Sequence, residues 1–166
     1  MTPNGRLAAL AFGASLAATF AQAHPQPHAT APAADAPQAP AAAAAVVDAF
    51  HAALRRGDTA AATSHLGEAV LIFEAGGAER SRAEYAAAHL AGDAAFAQAV
   101  GSELTRRTGG GAGDLAWVAS EGRTRGRYKA RDVDRVTTET MVLRRQAGGW
   151  RIVHVHWSSR AAGAAP

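Results

Sequence analysis

Two groups of side chains in this chain have the types and the spacing for chemistry. His89 and Asp93 stand four residues apart, and Tyr85 precedes His89 by four. On one continuous helix the three share a face. A carboxylate there can orient the imidazole as a general base, with the phenol as a hydrogen-bonding partner. The same spacing also suits a structural pair near a helix end. Glu74 and Glu84 are the other acids on which proton chemistry could draw. The second group is His154 and His156, inside Gly149-Trp150-Arg151-Ile152-Val153-His154-Val155-His156-Trp157-Ser158. In a strand, alternate residues point to opposite faces, so His154, His156 and Ser158 share one face and Val153, Val155 and Trp157 the other. Two such histidines can ligate a metal if a third ligand joins them. Alternatively they are locally bonded, with His156 paired to Glu139 across strands. We adopt the structural reading, and neither a metal nor a cofactor is expected.

The elements that must position these groups follow from periodicity and punctuation. Val46, Val47, Phe50 and Leu54 fall at helical spacing, and Gly57 closes that helix. Asp58 or Thr59 can cap a short second helix running through Leu66. Val70 to Phe73 is a compact apolar strand, ended by Gly76-Gly77. Ser81-Arg82-Ala83-Glu84 has the S-x-x-E pattern of a capping box, so a third helix starts there, with a break at Gly92-Asp93. From Ser102 onward the pattern is strands: 102–108, a glycine turn at 109–113, then 115–128, 135–145 and 150–159. Helices first and antiparallel strands afterwards indicate an α+β domain.

Composition bounds the rest. Met1 to Arg6 carry one positive charge, Leu7 to Phe20 are apolar, and Ala21-Gln22-Ala23 offers a small-x-small cleavage site. That is the layout of a secretory signal peptide over residues 1–23. Residues 24–41 are an Ala/Pro-rich tether, residues 42–160 one domain, and residues 161–166 a tail. The expected location is periplasmic or secreted, with no membrane insertion after cleavage. The net charge is only +3 and the arginines are scattered, which argues against a nucleic-acid partner.

The order of these elements resembles the nuclear transport factor 2-like superfamily, in its SnoaL-like and calmodulin-dependent kinase association-domain branch. The residues carrying the resemblance are Phe50-His51-Ala52-Ala53-Leu54-Arg55-Arg56-Gly57-Asp58, then Ser81-Arg82-Ala83-Glu84-Tyr85 with His89-Leu90 and Asp93. The closing hairpin from Thr137 through Leu143-Arg144-Arg145 to Trp150–Ser158 is the most specific part. The resemblance implies a cone-shaped α+β fold, with three N-terminal helices packed on a curved, mostly antiparallel sheet. It also implies a pocket on the concave side and dimers through the convex side. Hub domains of this branch carry pocket arginines at positions that match Ala119, Thr140 and Trp157, so an apolar ligand is favoured over an anionic one.

Placing Arg145 opposite Trp150 predicts the two faces of the closing hairpin. The pocket face takes Phe50 from the first helix with Trp117, Thr140, Val155 and Trp157, and has Tyr85, His51 and His89 as polar tips. The other face takes Glu139, Met141, Leu143, Ile152, His154 and His156. Neither face alternates cleanly between apolar and polar, as a half-wet antiparallel sheet does, so a second copy of the chain is expected to cover one of them. The expected function is an exported homodimer that binds a small, largely apolar molecule. The alternatives are a proton-transfer enzyme (isomerase, cyclase or dehydratase) using His89, Asp93 and Tyr85, and an oligomerisation module without a ligand.

Overall fold

The computed structural model describes residues 37–163. The expected leader, most of the tether and the end of the tail lie outside the described residues. Helix α1 spans Ala41–Arg56 and buries Ala43, Val47, Phe50, Ala53 and Leu54, a single stripe at helical spacing. Gly57 ends it in the left-handed conformation, with φ 70°. Asp58 Oδ1 accepts from the Ala61 N–H at 2.9 Å and starts α2, Thr59–Ser64. Strands β1 (Leu66–Glu74) and β2 (Gly77–Glu79) follow. The capping box then opens α3 (Arg82–Ala88), with Ser81 Oγ accepting from the Glu84 N–H and Glu84 reaching back to the Arg80 N–H. The expected third helix is two. It breaks at His89 and not at Gly92-Asp93, and resumes as α4 (Leu90–Ala99).

Four long strands complete the domain: β3 (Val100–Ala112), β4 (Leu115–Tyr128), β5 (Arg131–Gln146) and β6 (Gly149–Ala161). The sheet order is β2-β1-β6-β5-β4-β3, antiparallel except where β1 runs parallel to β6. Arg145 does face Trp150, as expected, but the ladder shifts between Val142 and Leu143. Leu143 pairs with Ile152 and Val142 with His154, so Val153 is an extra residue. One unpaired residue reverses the alternation beyond it. Downstream, Met141 therefore faces Val155, Thr140 faces His156 and Glu139 faces Trp157.

The bulge corrects the expected faces. Met141, Leu143 and Ile152 are fully buried on the concave side, and Glu139 joins them there instead of lying on an outer interface. Thr140 and Trp117 move the other way. Thr140 is exposed beside His156, and Trp117, 39% exposed, faces Val142 on the convex side. His154 and His156 stay convex, next to Phe73, and His154 Nδ1 lies 2.9 Å from the Leu71 carbonyl oxygen. The core is two cross-strand rows beneath α1: Ala116–Leu143–Ile152–Leu66 and Val118–Met141–Val155–Ile72. Among the described residues no helix is long and apolar enough to cross a membrane.

The glycines expected to form a turn lie inside strand β3 instead. Gly109 donates its N–H to the Pro37 carbonyl at 2.7 Å, so the segment before α1 covers the open edge of β3. A Cβ at Gly109 would fall 2.6 Å from the Ala39 Cβ and 2.7 Å from the Trp117 carbonyl oxygen. Replacing Gly109 by Ala is therefore expected to cost about 1–3 kcal/mol through overpacking. Gly92 sits exposed in α4, and a Cβ there would meet nothing within 4 Å. Gly92→Ala should gain up to about 1 kcal/mol. Urea unfolding of the two variants checks the opposite signs.

Candidate active site

The next row along the concave face is polar. It runs Arg107 (β3), Ser120 (β4), Glu139 (β5), Trp157 (β6) and Glu74 (β1), each directly opposite the next. Helix α1 lies over this row and adds two side chains. Asp48 accepts from Arg107 Nη1 at 2.7 Å, and His51 Nε2 lies 2.8 Å from Glu139 Oε2. The same Glu139 oxygen accepts from the Trp157 indole N–H at 2.7 Å. Trp157 is thus held at its edge by a carboxylate and on its faces by Phe50, stacked at 6.4 Å, and Tyr85, tilted at 6.3 Å. Indoles bury well only when the N–H finds such an acceptor.

Beyond Trp157 lies a cavity of about 290 Å³, walled by Ile72, Glu74, Glu79, Tyr85, His89 and Trp157. Two polar pairs stand around it. Tyr85 Oη donates to Asp93 Oδ2 at 2.9 Å, and His89 Nδ1 bonds to Glu79 Oε1. The break at His89 makes the second pair possible. Its backbone (φ −113°, ψ −28°) ends α3 and opens α4, which turns the ring towards β2. Glu79 is 10% exposed and His89 62%, so the imidazole sits at the mouth and its carboxylate beneath it. The three residues singled out for proton chemistry do gather, but not as spaced. Asp93 orients Tyr85 rather than His89, and the partner of His89 is Glu79.

The electrostatics follow from burial. Desolvation raises the Asp93 pKa above the usual carboxylate value, only partly offset by the Tyr85 hydrogen bond and the His89 charge. Desolvation also raises Glu74, reinforced by the Asp93 carboxylate. Tyr85 is pushed far up, first by burial and then by the Asp93 charge and hydrogen bond, so it remains a neutral phenol. Glu139 behaves oppositely. Burial alone would raise it, yet the hydrogen bond and charge of His51, the Trp157 N–H and the Arg107 charge together hold it low. Two acid environments therefore flank Trp157: burial shifts Asp93 and Glu74 upward, and hydrogen bonds and nearby positive charge shift Glu139 downward.

Of the expected pocket residues, Trp157 lines this cavity. Phe50 and Val155 are fully buried behind it, and Trp117 and Thr140 are on the far side of the sheet. Glu84 serves as the α3 cap. Glu79 escaped sequence reasoning because a three-residue strand leaves no periodic signal. The tie between Glu139 and Trp157 was hidden by the bulge. Among the described residues, no group of three or more His, Asp or Glu side chains is arranged to hold a metal.

The model of the SnoaL-like domain family matches residues 43–162. Among solved structures, a candidate ketosteroid isomerase from Shewanella frigidimarina is 40% identical, over 71% of this chain and 95% of that one, with a TM-score of 0.69. A candidate dehydratase of the nuclear transport factor 2-like family from Streptomyces avermitilis is 21% identical, over 73% of this chain and 95% of that one, with a TM-score of 0.63. The calmodulin-dependent kinase II hub of S. rosetta is 24% identical, over 78% of this chain and all of that one, with a TM-score of 0.61. These last two show likeness of fold. No functionally curated protein matches the chain.

Glu139→Gln isolates the carboxylate on which Trp157 rests. The new amide NH2 would occupy the place of Oε1, which is buried without a partner among the described residues, so it gains nothing in exchange. Loss of the charge-assisted bonds should cost about 1.5–3 kcal/mol at pH 7. Because the folded pKa lies below the ordinary value of 4.5, the carboxylate's contribution is fully present above that value and is lost as pH falls through the folded one. Denaturant midpoints should thus differ at about pH 7 and converge as the pH falls below 4.5 through the lowered folded value.

Proposed function

This chain belongs to the SnoaL-like domain family, on the nuclear transport factor 2-like fold, and we propose that it is a proton-transfer enzyme acting on a small carbonyl compound at the Trp157 cavity. The observation that carries this reading is the meeting of the Tyr85–Asp93 and His89–Glu79 pairs around one cavity. A pocket that merely holds an apolar molecule has no use for Glu74, Glu79, Tyr85 and His89 in its wall, with Asp93 bonded behind Tyr85. The 40% identical relative, named as a candidate ketosteroid isomerase, supports a reaction of this class. The cavity, at about 290 Å³, lies at the small end of the usual range for ligand pockets.

In this mechanism Glu79 accepts the Nδ1–H of His89, which fixes the tautomer and leaves Nε2 unprotonated as the base. Nε2 removes a proton from the carbon next to the substrate carbonyl. Charge then develops on the carbonyl oxygen, and the Tyr85 O–H hydrogen-bonds to it. Asp93, whose pKa is raised by burial, can in its protonated form donate in turn to Tyr85. Return of the proton from His89 to a second carbon completes an isomerisation. Trp157, held by Glu139, forms the apolar wall that keeps water from the charge as it forms.

Isomerisation of 3-cyclohexen-1-one to the conjugated ketone, followed with deuterium uptake from D2O, tests the proposal. His89→Ala should slow the reaction about 10²–10⁴-fold and Tyr85→Phe about 10–10³-fold, with exposed Arg144→Ala at the wild-type rate. Equal rates for all three variants, or no rate above the uncatalysed one across small unsaturated ketones, would refute it.

The same reading includes export and self-association. The basic start and apolar run of residues 1–20 support export. On the convex face, Phe73 and Trp117 are 38% and 39% exposed beside half-buried Val142 and His154. Uncovered aromatics on one sheet face favour a second copy of the chain as the cover. Light scattering at micromolar concentration should report a dimer, and Phe73→Asp with Trp117→Asp should return a monomer. A monomeric wild type would contradict the assignment.

A further inference from the structure

A second cleft, of about 620 Å³, lies at the far end of the concave face, between α4 and the tip of the β4–β5 hairpin. It is separate in lining from the Trp157 cavity. Its apolar part is Phe96, Tyr128 and Val133, with the Phe96 and Tyr128 rings edge to face at 5.3 Å. Its charged part is Lys129, Arg131 and Arg135.

These three cations are not spent on carboxylates. Lys129 Nζ sits 5.1 Å from the centre of the Tyr128 ring. Arg135 gives two of its donors to Ser159, through Nε to Oγ at 2.9 Å and Nη2 to the carbonyl at 3.2 Å, which fixes the guanidinium and leaves Nη1 free of that bond. Arg131 has no ion-pair partner among the described residues. Asp134, also in the wall, is already matched by Arg123, at 2.7 and 2.6 Å, and by Arg125 at 3.5 Å. Asp132 offsets one of the three positive charges, so the cleft keeps an excess of cation.

The turn carrying Lys129 is strained. Lys129 and Ala130 have φ 47° and 61°, with Tyr128 and Arg131 closing the ladder on either side. A two-residue hairpin needs such angles, but Asn-Gly meets them far more cheaply than Lys-Ala. Strain retained in a turn is a pointer to use, because the alternative residues would fold better. Here the use is a lysine held beside an aromatic ring.

We propose that this cleft binds a small organic anion with a flat apolar body, its ring system against Phe96 and Tyr128 and its carboxylate or sulfonate among Lys129, Arg131 and Arg135. An aromatic floor rewards the ring, and arginine forks reward a planar, two-oxygen anion. A bare inorganic anion would leave the floor unused, and a neutral ring would leave the cations unmatched. This site stands apart from the proton-transfer reading and does not depend on it.

The test is residue-resolved NMR titration of the full chain with 2-naphthoate, 2-naphthamide and inorganic sulfate. Naphthoate is expected to shift the amides of residues 128–135 with those of Phe96 and Ala161. Naphthamide and sulfate should each bind at least tenfold more weakly. Lys129→Ala combined with Arg131→Ala should reduce naphthoate affinity at least tenfold and leave naphthamide unchanged, and both residues are exposed, so the fold is retained. The proposal fails if naphthamide or sulfate binds as tightly as naphthoate. It also fails if the shifts centre on His89 and Trp157, or if the double variant binds naphthoate normally.

Discussion

At Val153 the ladder between β5 and β6 takes in one residue more on β6 than on β5, and the placement of nearly every important side chain depends on it. Strand β1 detours at the same level, where its pairing to β6 skips from Leu66 to Leu71. The Ile152 N–H goes to the His65 carbonyl at 2.9 Å. Gly67 leaves room beside Val153, whose Cγ1 would lie 3.4 Å from a Cβ at that glycine. Above the bulge Ile152 faces the helices, and below it Val155 and Trp157 do. An unbroken strand would have put His154 and His156 on the side of Ile152 and pointed Trp157 away. The bulge lets one strand seal the core at one end and present an aromatic wall to a cavity at the other.

Once Trp157 faces inward, its indole N–H needs a partner, and the aligned residue on β5 is Glu139. A carboxylate that deep needs compensation, which comes from His51 on α1 and, at longer range, Arg107. On the other side of the ring the balance is reversed. Tyr85, Asp93 and Glu74 lie where burial disfavours charge, and the His89 imidazole is at the rim. A single indole thus separates a carboxylate held low by its partners from acids that burial shifts upward.

What could be seen in the sequence was what short-range chemistry dictates. Gly57, Asp58 and the Ser81–Glu84 box act within one helical turn, and all three sit where their types require. The α+β order and the family likeness were legible for the same reason, since they rest on runs of periodic residues. The partners across the β5–β6 pair were not, because a bulge is set by what packs behind it. His89 and Asp93 read as one helical pair, whereas the chain turns at His89, and no local signal distinguishes those cases. Gly109–Gly111 read as a turn because glycine announces only that space is short. The need came from the segment before α1, far earlier in the chain, lying against the strand edge.

The register across Val153 can be observed directly by NMR. The account predicts backbone proton contacts between Thr140 and His156 and between Met141 and Val155, together with a Trp157 indole N–H that exchanges slowly because Glu139 holds it. Contacts pairing Thr140 with Val155 and Met141 with His154, or an indole proton exchanging at the rate of an exposed one, would contradict the account.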